Sequence, residues 1–236
     1  MERNRASARG DVRRPPSPAR VTAAPQRSAG SPARRTQVSR SKAAREKLLR
    51  ATLEVLEERG YSGLTTKEVA VRAGFSNGAL MHHYSTKTDL VVAAGAHIYD
   101  QCIQSGRRIA ASAAARKNPL NAFISDCVDV YLGPPFVAAG ELMFAARTDP
   151  LINAPFDAFM LNYRKTMNEI WLAAFMRAGY GKDDASFLIM STLNLIRGMG
   201  INSMWQKNLP YYKRMLREWA RLAQTGAFKG ARCELR

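Results

Sequence analysis

From Ser41 onward the apolar residues recur at three- and four-residue intervals, and no strand-length stretch alternates apolar with polar. This pattern predicts an all-α protein. Leu49, Leu53 and Leu56 lie beside Leu48, Thr52 and Val55 and make one apolar face on a helix from about Ser41 to Arg59, which Gly60 stops. A short second helix starts at Thr65 or Thr66. Thr65 and Glu68 have capping-box spacing, with the hydroxyl accepting from a free backbone N–H and the carboxylate reaching back. Val69, Ala70 and Ala73 face inward, and Gly74 ends the helix. After a Gly74-Phe75 turn, Ser76 caps a third helix that ends near Tyr84, and Thr86 to Asp89 opens a long fourth helix through Leu90, Ala94 and Ile98.

Asn118-Pro119, Gly133-Pro134-Pro135, Asp149-Pro150, Gly179 and Pro210 divide the remainder into about five more helices. One of these carries an aromatic and thioether stripe from Phe156 to Phe175. Asp184 to Gln206 is apolar nearly all round, with Arg197 the only charge between Phe187 and Met204, so it should be central or at a subunit interface. The last helix groups Met215, Leu216, Trp219, Leu222 and Ala223 on one face. By contrast, residues 1–40 hold Pro15, Pro16, Pro18, Pro25 and Pro32 among Arg, Ser and Ala with no apolar period, and are expected to be disordered. Such a segment is a solvated tail, the product of a start placed too far upstream, or an arm that adds phosphate contacts. The expected organisation is a basic tail over 1–40, a small helical domain over 41–90 and a larger helical domain over 91–236.

Composition adds a partner. Hydrophobic residues make up 46% and charged residues 23% of the 236, as in a globular protein, but the net charge is +17. Ten Arg against Glu2 and Asp11 put +8 in residues 1–40. Such a balance suits a polyanion, nucleic acid or an anionic membrane, without choosing between them. Cys102, Cys127 and Cys233 have neither disulfide-framework nor zinc-site spacing, which fits a reducing cytoplasm. No apolar segment follows the N-terminal Arg residues, as a secretory signal requires. The most apolar stretch, Phe187 to Met204, is broken by Asn194, Arg197 and Asn202, so no membrane is expected. No catalytic triad, carboxylate pair or phosphate loop stands out, and neither a cofactor nor a metal is expected. His82 and His83 are adjacent, so their rings point to different sides of a helix.

Two short helices joined by a tight turn and braced by a preceding helix form a helix-turn-helix, whose second member fits the major groove of DNA. The residues here are Glu46-Lys47-Leu48-Leu49 through Glu58-Arg59-Gly60-Tyr61, Thr65 to Ala70, Ala73 to Leu80, and His82 to Leu90. Over about fifty residues they resemble the DNA-binding domain of the TetR/AcrR family of regulators. The resemblance implies that Thr66 meets a phosphate at a helix start, where free N–H groups favour an anion. Ser76, Asn77, Gly78 and Ala79 would enter the groove first. Asn77 can pair bidentately with adenine, Gly78 permits close approach, and the Ala79 methyl can meet thymine. His83 is placed on a phosphate and His82 near the groove. Met81 stands where the family commonly has an aromatic, which removes a phenolic hydrogen bond but leaves a surface for sugar or a thymine methyl. Lys87 opposes the macrodipole of its own helix, a conflict that a phosphate would relieve.

In the larger domain, Phe123, Cys127, Tyr131, Met143, Phe159, Tyr163 and Trp171 supply adaptable aromatic and thioether surface for a small-molecule cavity between helices, as the resemblance also implies. The last two helices would pair across a two-fold axis. The expectation is therefore a homodimer that binds a palindromic double-stranded DNA operator and is released from it by a small-molecule effector. Two rivals stay open: an architectural protein that coats DNA without regard to sequence, and an enzyme with a DNA-binding appendage.

Overall fold

In the computed structural model, residues 32–226 are described, and all the regular structure among them is helical. Of residues 1–40, expected to be disordered, 1–31 lie outside the described residues, as does Cys233, whereas 32–40 are helical. By contacts the chain divides at Ser39, and everything from Arg40 onward groups as one unit. The first helix, α1 (Pro32–Gly63), starts earlier than Ser41, where the apolar face begins. A polar stretch carries no burial pattern to mark it as helical, so periodicity misses it.

The small domain follows as α2 (Thr66–Ala73), α3 (Asn77–His83) and α4 (Lys87–Ala110). Thr86 and Asp89 cap α4 reciprocally, with Asp89 N–H to Thr86 Oγ1 and Thr86 N–H to Asp89 Oδ2 both at 3.0 Å. At α2 only half of the expected box forms. Thr65 Oγ1 accepts from Glu68 N–H at 3.2 Å, but the Glu68 carboxylate turns to Arg59 at 2.8 Å and Arg72 at 3.6 Å. Two guanidinium charges outweigh one backbone N–H as partners for a carboxylate.

The larger part comprises α5 (Ala113–Lys117), α6 (Pro119–Tyr131), α7 (Pro134–Ala146), α8 (Pro150–Arg177), α9 (Lys182–Ser203) and α10 (Leu209–Gln224). That is one helix more than the punctuation suggests, because Ser112 caps the five-residue α5 before Asn118 ends it. α4 runs unbroken across the expected boundary at residue 90. Its Leu90 and Val91 are buried with Leu48, Leu56, Leu64, Val69 and Leu80, while its Tyr99 meets the rings of Phe156, Phe159 and Tyr163 on α8. α8 continues into a second core, where Trp171 and Phe175 pack with Phe123, Ile189 and Leu216. No single described helix is long and apolar enough to cross a membrane. The pair α6 and α7 would pass only together, and is bent by 60°.

Asp184 to Gln206 is not buried on every side, as its composition suggested. Leu188, Ile189, Ile196 and Met199 are buried on one side, whereas Met190 and Ile201 are exposed.

Gly60 is where α1 bends, at φ 66° and ψ 179°, a conformation essentially confined to glycine. A Cβ there would lie 2.7 Å from Glu141 Oε2, the atom that accepts from Tyr61 N–H at 3.0 Å. Gly60→Ala should therefore lower unfolding stability by about 1–3 kcal/mol through backbone strain alone, measured by urea denaturation, and Glu141→Gln should cost less because it leaves the backbone unstrained.

Candidate nucleic-acid interface and bundle cavities

Burial of Val69, Ala70 and Leu80 against α1 and α4 fixes how α2 and α3 cross. The turn between them places Gly74 at φ 77°, with Gly74 N–H on Val71 O at 3.1 Å and Phe75 N–H on Ala70 O at 2.8 Å. Ser76 Oγ accepts from Ala79 N–H at 3.1 Å, so its hydroxyl holds the start of α3. Asn77 and Gly78 are exposed on the first turn, Ala79 is half-buried, and Met81 and His82 are exposed further along. Thr66 is half-buried at the first position of α2. The protein thus presents most of the expected readers on one short helix and its approach.

His83 is half-buried, and burial, then the charge of Arg45, then that of His82, hold its pKa below the usual imidazole range. Arg45 also opposes the upward pull of burial on Tyr84. This cation from α1 therefore acts on the end of α3, a proximity that periodicity could not supply. Helical spacing identifies the polar face of α1, but not which neighbour that face meets.

Lys87 is already engaged. Its Nζ donates to Tyr61 O at 2.7 Å and lies 4.2 Å from the Tyr61 ring centroid, and burial lowers its pKa. A carbonyl and an aromatic face here receive the charge that opposes the α4 macrodipole. Phosphate would have to draw Nζ from Tyr61 O or share it.

Two cavities, each of about 480 Å³, lie where the two cores meet. Tyr131, Tyr163 and Arg197 face both. The first is lined also by Phe123, Cys127, Trp171 and Asp126, and the second by Tyr99, Met143, Phe156 and Met160. Of the seven expected cavity residues, Phe159 is the exception. It lines neither, and its half-buried ring packs instead beside Tyr99 and Phe156. Met143 is on the wall but 45% exposed.

Sequence reasoning missed the polar groups of these cavities. Asp126 is 2% exposed and accepts from Trp171 Nε1 at 3.0 Å. Burial pushes its carboxyl up to about 6 despite that bond. Arg197 Nη2 donates to Tyr131 Oη at 3.2 Å, with its guanidinium 5.3 Å from the Tyr131 ring centroid. The charge in an apolar run was the available signal for Arg197. For Asp126 there was none, since an aspartate on a helix is ordinarily solvated. Among the described residues no three His, Cys, Asp or Glu side chains cluster as a metal site would.

Residues 48–94, which carry this helix pair, match the profile described as bacterial regulatory proteins, tetR family. The HTH-type transcriptional regulator CymR of Pseudomonas putida is 30% identical over 185 residues, covering 78% of this chain and 91% of CymR. Among solved structures, a TetR transcription regulator from Haloarcula marismortui superposes with a TM-score of 0.62 at 20% identity, over 78% of this chain and 98% of that one. A transcriptional regulator from Saccharomonospora viridis in complex with choline gives 0.61 at 17% identity, over 76% and 96%. A capped, outward-facing helix on a helix-turn-helix, together with a relative matched along nearly its whole length, identifies this chain as a DNA-binding transcription regulator of the TetR family.

Proposed function

We propose that the protein is a homodimeric repressor that binds a palindromic operator and is released by a small-molecule effector. The observation that carries this reading is α4, one unbroken helix that begins at Lys87 beside α3 and reaches the second cavity at Ile98, Tyr99 and Cys102. A ligand that moves the cavity wall acts on the same rigid element that positions α3. Operator and effector would then weaken each other's binding by one common factor.

Asn77, exposed on the first turn of α3, is the proposed base reader, with Gly78, Ala79, Met81 and His82 around it. Thr66, His83 and Lys87 are the proposed phosphate contacts, and Ser76 supports the helix start. Selecting bound sequences from a random DNA pool should return a palindrome. Asn77→Ala should relax preference at particular base pairs, at about 1–3 kcal/mol per lost bidentate contact. Thr66→Ala and Lys87→Ala should weaken all sequences alike, and Lys87→Ala, which removes a charge, should also lower the salt slope by about 0.9. Selection that returns no consensus would favour sequence-indifferent coating.

The proposed dimer contact is the outer face of α9 and α10, where Met190, Ile201, Tyr211, Met215 and Leu222 are exposed apolar side chains. Met215→Glu with Leu222→Glu should yield a folded monomer by sedimentation, because both side chains already face water in one copy and their replacement leaves its core intact. A dimer that persists in the double variant would place the contact elsewhere.

For the effector cavity, Trp171 is a poor probe. It is wholly buried and holds Asp126, so its truncation would cost about 3–5 kcal/mol of stability. Met143→Trp fills the second cavity from its exposed edge. This variant should bind the selected operator like the wild type yet resist release by a compound that frees the wild type, as read by fluorescence anisotropy.

A further inference from the structure

Arg197 is half-buried on α9, where the two cavities meet, and its one hydrogen-bond partner among the described residues is a neutral phenol, Tyr131. It forms no ion pair with a carboxylate of the described residues. Its charge acts on Tyr99 in the wall of one cavity and on Cys127 in the wall of the other. A guanidinium has five N–H donors in a planar fork, and withdrawing it from water without an anion is costly. Nearby acids do not meet this need. Asp126 serves Trp171, and Asp157 is exposed at the rim of the second cavity.

Resting on the effector reading above, we infer that the effector is an apolar monocarboxylic acid, its carboxylate held by Arg197 and its hydrocarbon body in the cavity lined by Ile98, Phe136, Met143, Phe156 and Met160. The carboxylate matches the guanidinium fork bidentately, which an amide or alcohol does not. The volume of about 480 Å³ lies within the range of small-molecule sites. One half-buried cation among apolar and tyrosyl side chains, with Asp157 and Arg164 exposed at the rim, suits a single negative charge on a hydrophobic body. A dianion such as a phosphate ester would leave a second charge to desolvate. The second basic group at this cavity, Arg164, is exposed at its edge and can remain in water.

The test is titration calorimetry on the full chain with octanoate and 2-naphthoate, each against its own primary amide, and with octylamine. For at least one skeleton the wild type should prefer the acid over the amide by about 10- to 100-fold, the factor expected for hydrogen bonds to a charged group. Arg197→Gln should remove that preference while leaving amide binding unchanged, which also controls for folding. Arg197→Lys should restore part of it. Equal affinity for acid and amide in the wild type, tighter binding of octylamine, no binding of either acid, or unchanged acid affinity in folded Arg197→Gln would each overturn the assignment. Release of the selected operator separates this outcome from the effector reading. An amide that binds and releases DNA where the acids do neither sinks only the acid class. An acid bound through Arg197 that leaves operator affinity untouched sinks only the release mechanism.

Discussion

The constraint on which the rest depends is that one helix must bury apolar residues at both ends of one continuous core, beneath the helix-turn-helix and against the bundle. α4 supplies Leu90 and Val91 to the core beneath the helix-turn-helix, and Tyr99, Cys102 and Ile103 to the packing against α7 and α8. Each fully buried aliphatic side chain is worth roughly 1.5–3 kcal/mol, so neither end can detach without losing several such terms. A rigid rod fixed at both ends transmits displacement, because packed cores rearrange between discrete states and do not stretch.

A second link lies beside α4. The backbone of Tyr61 is held on both sides of its Cα, its N–H by Glu141 on α7 and its carbonyl by Lys87 at the start of α4. Glu141 adjoins Gly140 in the wall of the second cavity, and Lys87 is the cation placed nearest the start of α4. The glycine preceding Tyr61 lets the chain turn tightly enough for the carboxylate to reach that N–H. The surface ion pairs of Arg59 and Arg72 with Glu58 and Glu68 add register between α1 and α2. Being solvated, they contribute little to stability.

The polar groups in the bundle follow a different logic from its rings. The aromatic stripe of α8 splits between roles: Phe159 and Phe175 pack in the cores, while Tyr163 and Trp171 also face the cavities. Asp126 and Arg197 sit among these rings at a desolvation cost that packing alone does not require. Asp126 offsets part of it through Trp171. Arg197 offsets less, with a phenol and a ring face, and so remains the more demanding of the two.

The sequence by itself determined the helical class, the order of the first four helices, the caps at Ser76 and Thr86, and which residues stand on the exposed turn of α3. All of these are local, set by side chains within three or four positions of each other. It also marked the stripe that lines the cavities, because burial imposes a period. Only the tertiary structure decided that Glu68 leaves its capping box for two arginines, that Lys87 turns onto Tyr61, and that Phe159 packs beside Tyr99 and Phe156 while Met143 stays half outside. It also decided that Asp126 and Arg197 face the cavities, and that the nearly all-apolar α9 keeps one face uncovered. Each of these depends on partners far apart in the chain, and helical periodicity reports that a face is buried without saying against what.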